Sequence, residues 1–184
     1  MLIQDISRQA SIELLKRTRL GRLACVHDGQ PYITPVTFAC DENYLYAFST
    51  IGQKITWMRA NPRVCVEADE LVTRQDWATV IVIGRYEELT DGDEYEVLRH
   101  HAYNLLRINP VWWEPGYVET VVRGTTRPLG KPLYFRIHMD QISGHRGVPD
   151  MSARQRPSGT PHSQSWLERI LRGRKLHSDN RDSE

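Results

Sequence analysis

The apolar positions of this chain change period several times, and each change marks an element. Over residues 11–19, Ile12, Leu14 and Leu15 alternate with polar residues, and Lys16, Arg17 and Arg19 gather near the end, where the macrodipole favours cations. This predicts a short helix stopped at Gly21. "RLACV" then reads as a strand, Asp28-Gly29 as a tight hairpin turn, and "PYITPVTFAC" as the return strand. Pro35 lies inside that strand. It has no N–H to give to a ladder, so it calls for an edge position or a bulge. "DEN" makes the next turn, and "YLYAFS" is a third strand with Tyr44, Tyr46 and Phe48 at alternate positions. Three strands joined by short turns predict an antiparallel meander.

The period then lengthens. Ile51, Ile55 and Met58 recur at i, i+4 and i+7, which predicts a helix over residues 53–60 with these three facing the core; Asn61-Pro62 ends it. "RVCVEAD" is a fourth strand. "WATVIVIGRYEEL" is a fifth, long and apolar enough to be covered on both faces. Residues 90–110 return to helical spacing, with a stripe of Tyr95, Leu98, Ala102 and Leu105, acidic Asp93 and Glu94 at the start and Arg107 near the end. "VWWEPGY" is a loop, and "YVETVVRG" and "PLYFRIHMDQISG" are further strands. Short turns, with helices between only some strands, predict a mainly β protein (β plus α), a small antiparallel barrel with a few flanking helices rather than a βαβ sheet.

From Gly147 the pattern dissolves. Residues 147–164 are rich in Pro, Ser and Gly and read as a flexible linker. Residues 165–184 begin with a short amphipathic helix, Ser165 and Glu168 forming a capping box ahead of Trp166, Leu167, Ile170 and Leu171, and end in a disordered tail.

Composition narrows the function classes. The 184 residues are 40% hydrophobic and 26% charged with a net charge of +1, so nothing in the balance points to nucleic acid or a membrane surface. No apolar run reaches the ~20 residues of a transmembrane segment, and the start of the chain has charges in every apolar stretch, unlike a signal peptide. Cys25, Cys40 and Cys65 are odd in number, lack CxxC spacing and sit in strands. They read as reduced, buried thiols of a cytoplasmic protein.

The chemistry concentrates at "FSTIGQK". Ser49 and Thr50 supply hydroxyls, Gly52 lets a ligand approach the backbone, and Lys54 adds a charge at the start of a helix, where unpaired N–H groups favour an anion. It is neither a P-loop nor a dinucleotide fingerprint. On this stretch alone, a phosphate site and a capped surface helix with a solvated lysine are equally consistent. Elsewhere the signals are weaker. His100 and His101 are adjacent on a helix and point to different faces; Glu96 and His100 are spaced as a surface pair. No motif of a zinc protease or serine hydrolase is present, no metal site is expected, and no catalytic acid or base stands out. Trp112 and Trp113 suit core packing, a dimer contact or a stacking surface.

The order of "GRLACVHDGQPYITPVTFACDENYLYAFSTIGQKITWMRANPRVCVEAD" and "WATVIVIGRYEEL" resembles the pyridoxamine 5′-phosphate oxidase-like, FMN-binding split-barrel superfamily, and within it the nitroimidazole-resistance-type flavin-nucleotide-binding proteins. The resemblance runs from Leu14 to Leu89 and more loosely through Gly144. It implies a six-stranded antiparallel split β-barrel over residues 1–146 and a cytoplasmic homodimer with FMN at the interface. It also implies a flavin-dependent, nitroreductase-like oxidoreductase acting on a small molecule, with NAD(P)H a possible electron donor. By position, Pro35, Val36 and Thr37 would run beside the isoalloxazine, Phe48, Ser49 and Thr50 would lie between ring and phosphate, and Lys54 would bind the phosphate. Thr79 and Val80 would line the opposite side, and Trp112 or Trp113 would reach the flavin of the other subunit. A non-catalytic flavin-binding, storage or sensing module is the alternative. A deazaflavin cofactor and a haem-binding role through His138, His145, His162 or His177 remain open. "GKPLYFRIHMD" has Lys131 where pyridoxamine 5′-phosphate oxidase itself carries a Trp, which argues against vitamin B6 oxidation; Arg136 is then a strand residue with a structural partner.

Overall fold

Strands β1 (Leu2–Asp5), β2 (Leu20–His27), β3 (Gln30–Asp41), β4 (Tyr44–Ser49), β5 (Arg63–Thr73), β6 (Asp76–Leu89), β7 (Glu119–Val122), β8 (Thr125–Pro128) and β9 (Leu133–Val148) alternate with helices α1 (Arg8–Thr18), α2 (Gln53–Ala60) and α3 (Glu96–Arg107) in the computed structural model. It describes residues 1–108, 119–122, 125–128 and 132–149. The linker and amphipathic helix read from composition lie outside the described residues, apart from Gly147 and Val148, which belong to β9, and Pro149 after them.

Local chemistry fixes the first elements. Ser7 caps α1, its Oγ accepting the Ala10 N–H at 3.2 Å. The helix ends at Arg19, two residues before Gly21, where the backbone takes a left-handed φ of 58°. Gly21 lies inside β2 for a different reason: a Cβ there would come within 2.7 Å of the Glu67 carbonyl oxygen of β5. Asp28 and Gly29, at φ 49° and 75°, make the predicted tight turn between β2 and β3.

The meander β2–β3–β4 is continued by β5 and β6 on one side and β9 on the other, and β6 pairs with β9 to close a ring of six antiparallel strands. This is a split barrel, and its ladders are uneven. β6 and β9 run together from Trp77 opposite Gly147 to Leu89 opposite Tyr134, whereas β3 and β4 share only the pairs from Phe38–Ala47 to Asp41–Tyr44. Along β9, β4 takes one edge over Leu133–His138 and β1 takes it again at His145–Val148. β1 escaped the sequence pattern because its residues are exposed, and what fixes it is the vacant edge of β9. The β6–β9 register slips once, between Ile83 and Gly84, leaving Asp140 without a strand partner. Its carboxylate accepts both Arg85 donors, at 3.0 and 3.1 Å, and lies 2.7 Å from His138 Nδ1. β7 and β8 pair as a separate hairpin.

The barrel is filled by Leu14 and Leu15 of α1, Ile55 and Met58 of α2, and inward side chains of the ring such as Leu23, Phe38, Val66, Val82 and Phe135. Each contributes about 1.5–3 kcal/mol by leaving water. A smaller cluster of Tyr46, Leu89 and Ala102 holds α3, with Tyr95, Leu98 and Leu105 packed against it. Two expectations change. Ile51 is 67% exposed and outside the core, because it precedes the first residue of α2 and does not share the helical period. β6 is buried on one face only: Val80 and Val82 point inward, while Ile81 and Ile83 are exposed. Of the cysteines, only Cys25 is buried; Cys40 and Cys65 are half-buried, and all three are free. Among the described residues no helix is long and apolar enough to cross a membrane.

Candidate functional site

The candidate site forms where β3 and β4 part. Below the Phe38–Ala47 pair, β3 continues through Thr37, Val36 and Pro35 with only β2 beside it, and β4 continues through Phe48 and Ser49 with only β9 beside it. Each strand therefore turns an unladdered backbone edge toward the opening. Pro35 fits because one edge of β3 is free there, as its missing donor requires. Thr50, Ile51 and Gly52 then lead from β4 into α2.

The start of α2 is uncapped. Gly52 is its N-cap residue, with extended backbone and no side chain to accept a first-turn N–H. Its carbonyl is taken by the Thr56 N–H at 3.0 Å and the Thr56 hydroxyl at 3.3 Å. Ser49 Oγ donates to the Thr50 carbonyl at 3.0 Å, which shapes the loop. Lys54 is half-buried. Burial pushes its ammonium below the usual lysine range, with no carboxylate acting against it. Thr37 Oγ1, on the β3 side, is buried without a hydrogen-bond partner. A desolvated cation, unpaired first-turn N–H groups and an orphaned hydroxyl are each costly unless a hydrogen-bonding partner reaches them. The donor set fits an anionic, phosphate-bearing ligand.

Pro35, Val36 and Thr37 of β3 and Phe48 and Ser49 of β4 flank the opening, and Thr50 and Lys54 follow along the chain into α2, although Val36 turns its side chain into the core and offers only backbone. Thr79 and Val80 are not. β6 is three strands from β3 by either route round the ring. The Val80 side chain is in the core, and Thr79 Oγ1 donates to Glu67 Oε1 at 3.0 Å. Glu67 also pairs with Arg22 at 3.2 Å, and Arg22 meets Asp69 as well. Trp112 and Trp113 lie outside the described residues.

Beside this polar cluster an apolar row crosses the outer face of the ring. Ile33, Ala24, Cys65 and Ile83 stand directly opposite one another across β3, β2, β5 and β6. Ile33 is 64% and Ile83 50% exposed, with Val26 and Ile81 exposed beside them. The alternation of these strands had shown which side was inside, not that the other was also apolar.

A cavity of about 580 Å³ adjoins the loop before α2. Ile51, Arg59, Leu89, Arg99, Tyr103 and Tyr134 are among the residues lining it. Sequence reasoning missed it because its walls come from three segments far apart in the chain.

The remaining candidates are structural. His101 Nε2 lies 2.9 Å from Asp41 and stacks edge-on with Tyr46. His100 meets Asn104 at 3.0 Å rather than Glu96. His145 pairs with Asp5 at 3.2 Å. Arg136 forks onto Glu87 at 2.7 and 3.1 Å, with its guanidinium 4.3 Å from the centre of the Tyr44 ring. Among the described residues no group of three or more His, Cys, Asp or Glu is placed to hold a metal.

Comparison with known proteins identifies the family. The family described as Pyridoxamine 5′-phosphate oxidase matches residues 7–146. An uncharacterized protein of Rhizobium meliloti (strain 1021) is 40% identical over 146 residues, 78% of this chain and 95% of that protein. The crystal structure of an FAD-binding protein from Mesorhizobium loti is 40% identical, covers 80% of this chain and 100% of its own, and superposes with a TM-score of 0.67. An FAD binding protein from Mycobacterium smegmatis, 22% identical, covers the same shares with a TM-score of 0.58 and shares the fold.

Proposed function

This chain belongs to the pyridoxamine 5′-phosphate oxidase family, and from that premise we propose that it binds FMN as a homodimer and acts as a flavin-dependent oxidoreductase. The observation that carries the reading is Lys54, a half-buried cation with no carboxylate to balance it, placed in the first turn of an uncapped helix. The flavin phosphate is the counter-charge this arrangement lacks. Backbone groups of Pro35, Val36 and Thr37, with the Thr37 hydroxyl, face the polar edge of the ring system. Phe48, Ser49 and Thr50 span from ring to phosphate.

Thr79 and Val80 enter this reading through a second copy of the chain, since their own strand lies across the ring. The apolar row from Ile33 to Ile83, on the same outer face as Thr79, supports such a pairing. Trp112 and Trp113 are proposed to come from the second copy as well. When bound, the flavin supplies the redox chemistry. The protein holds the phosphate, orients the ring between two backbones and limits access to it.

A spectrum of the purified protein with added FMN tests binding directly. Lys54→Ala is expected to weaken FMN by about 10- to 100-fold, the scale of a charge-assisted hydrogen bond. Riboflavin, which lacks the phosphate, should be nearly unaffected, and equal losses for the two would remove Lys54 from the phosphate site. A second reading, a flavin-holding module without turnover, is favoured by one observation: of the seven residues at the opening, only Lys54 is titratable. Reduction of bound flavin by NADH or NADPH decides for the oxidoreductase, and its absence for the module.

A further inference from the structure

Four strands set matched rows on the outer face of the ring. In the first row Ile33, Ala24, Cys65 and Ile83 stand side by side across β3, β2, β5 and β6. In the next, two residues along each strand, Pro35, Arg22, Glu67 and Ile81 do so. The second row is apolar at its ends and holds an ion pair in its middle. Arg22 reaches Glu67 at 3.2 Å and also meets Asp69, but Nη1 makes both contacts. Nε and Nη2 have no partner among the described residues, so most of the guanidinium N–H groups lack a protein acceptor. Glu67 accepts Arg22 on Oε2 and the Thr79 hydroxyl on Oε1, the latter at 3.0 Å, and each oxygen retains a lone pair. An arginine with free donors beside a glutamate with free acceptors is complementary to a second copy of itself.

We propose that a second copy packs on this face about a two-fold axis that runs between β2 and β5, parallel to them, and that Arg22 of each copy donates to Glu67 of the other. This deepens the homodimer of the flavin reading above, on which the contents of the resulting clefts rest. Such an axis lays β2 of each copy on β5 of the other and keeps the rows in register. Ile33 then faces Ile83 of the second copy, Ala24 faces its Cys65 and Pro35 its Ile81, apolar against apolar. The closed ring is convex outside, so the two rings touch along β2 and β5 and part on either side. Each cleft so formed has β3 of one copy as one wall and β6 of the other as the opposite wall. Thr37 and Thr79 lie two residues beyond Pro35 and two before Ile81, outward because Val36, Phe38 and Val80 are in the core, and they face each other across the cleft. Glu67 is thus a positioning residue. It joins the copies, and by taking the Thr79 hydrogen it leaves the Thr79 oxygen to accept from a donor in the cleft.

Charge complementation in the full chain tests this, with association read by light scattering and folding by a cooperative melt. Arg22→Glu and Glu67→Arg each set like charges against one another across the axis. Each alone is expected to associate at least about 100-fold more weakly than the unaltered protein. Co-expression of the two chains should restore a dimer, because each altered charge then faces its opposite. Variants that dimerise alone would overturn the proposal, and so would a mixture that stays monomeric, which would confine the ion pair to one chain. Lys54→Ala and Thr79→Trp leave the charges of the cluster as they are and test the clefts. At an FMN concentration that loads neither variant by itself, the co-expressed chains should hold one flavin per mixed dimer by absorbance, because one cleft keeps both native walls. Full loading of Thr79→Trp alone, or no flavin in the mixture, overturns the placing of Thr79 opposite β3 of the other copy. Charge complementation without flavin binding removes the flavin reading and upholds the paired face; flavin binding without complementation does the reverse.

Discussion

At the scale of single residues, Lys54 is the side chain whose environment says most. Its folded-state pKa lies below the ordinary value of 10.5 because burial disfavours the charge. Below that depressed value both folded and unfolded chains are protonated, and the folded one carries the cost. Between the depressed value and 10.5 the unfolded chain binds more protons, so stability without ligand rises with pH across that window. Thermal melts taken as the pH rises toward 10.5 should therefore show an alkaline gain that Lys54→Met flattens. A phosphate ligand should cancel the gain, because it removes the reason for the shift; identical pH profiles for the two proteins would mean that Lys54 carries no burial cost. This residue was legible in the sequence, since hydroxyls, a glycine and a lysine at a strand-to-helix junction have few uses. Thr37 was singled out only through resemblance to a family, because nothing local shows that a threonine in a strand will be buried without a partner. Ile51 was misread for a physical reason: helical spacing was extended two residues ahead of Gln53, where helical backbone begins.

At the scale of elements, the hydrophobic pattern located β2, β3, β4, α2 and α3 because each has a face in the core and a turn signal at its end. It was least informative for β6. A run such as Val80-Ile81-Val82-Ile83 says that both faces are apolar, not what covers each. The structure assigns Val80 and Val82 to the core and leaves Ile81 and Ile83 outside. The outer face is where a second chain would lie. Ile83→Glu, at a half-exposed position, is expected to leave the fold intact and convert the proposed dimer to monomer by light scattering, with loss of flavin. A dimer that survives the change would place the interface elsewhere. β1 was illegible for the opposite reason. Four exposed residues have no period of their own, and the strand exists because β9 has an edge left over.

At the scale of the whole molecule, the ring is uneven because its strands differ in length, and the unevenness makes the site. A long β6–β9 ladder closes the barrel on one side, while the short β3–β4 ladder ends early and opens it on the other. Order and antiparallel pairing could be read from short turns. The opening could not, because it depends on where each ladder stops. The cavity was likewise hidden, since residues near positions 51, 99 and 134 meet only after the ring has closed. The unpaired Asp140 has a consequence of the same reach. Before it, odd-numbered residues of β9 face inward, as Phe135, Ile137 and Met139 do; after it the even-numbered Ile142 and Gly144 do. Asp140 thus works as a change of reading frame in a two-letter code of inside and outside. Asp140→Ala should keep the fold, because the spacing survives the loss of the carboxylate. Deleting the residue should also leave soluble, cooperatively melting protein, because Met139, inside, is then followed directly by Gln141, outside, and Ile142 and Gly144 still face the core in plain alternation; loss of the cooperative melt would mean that the extra residue itself is required.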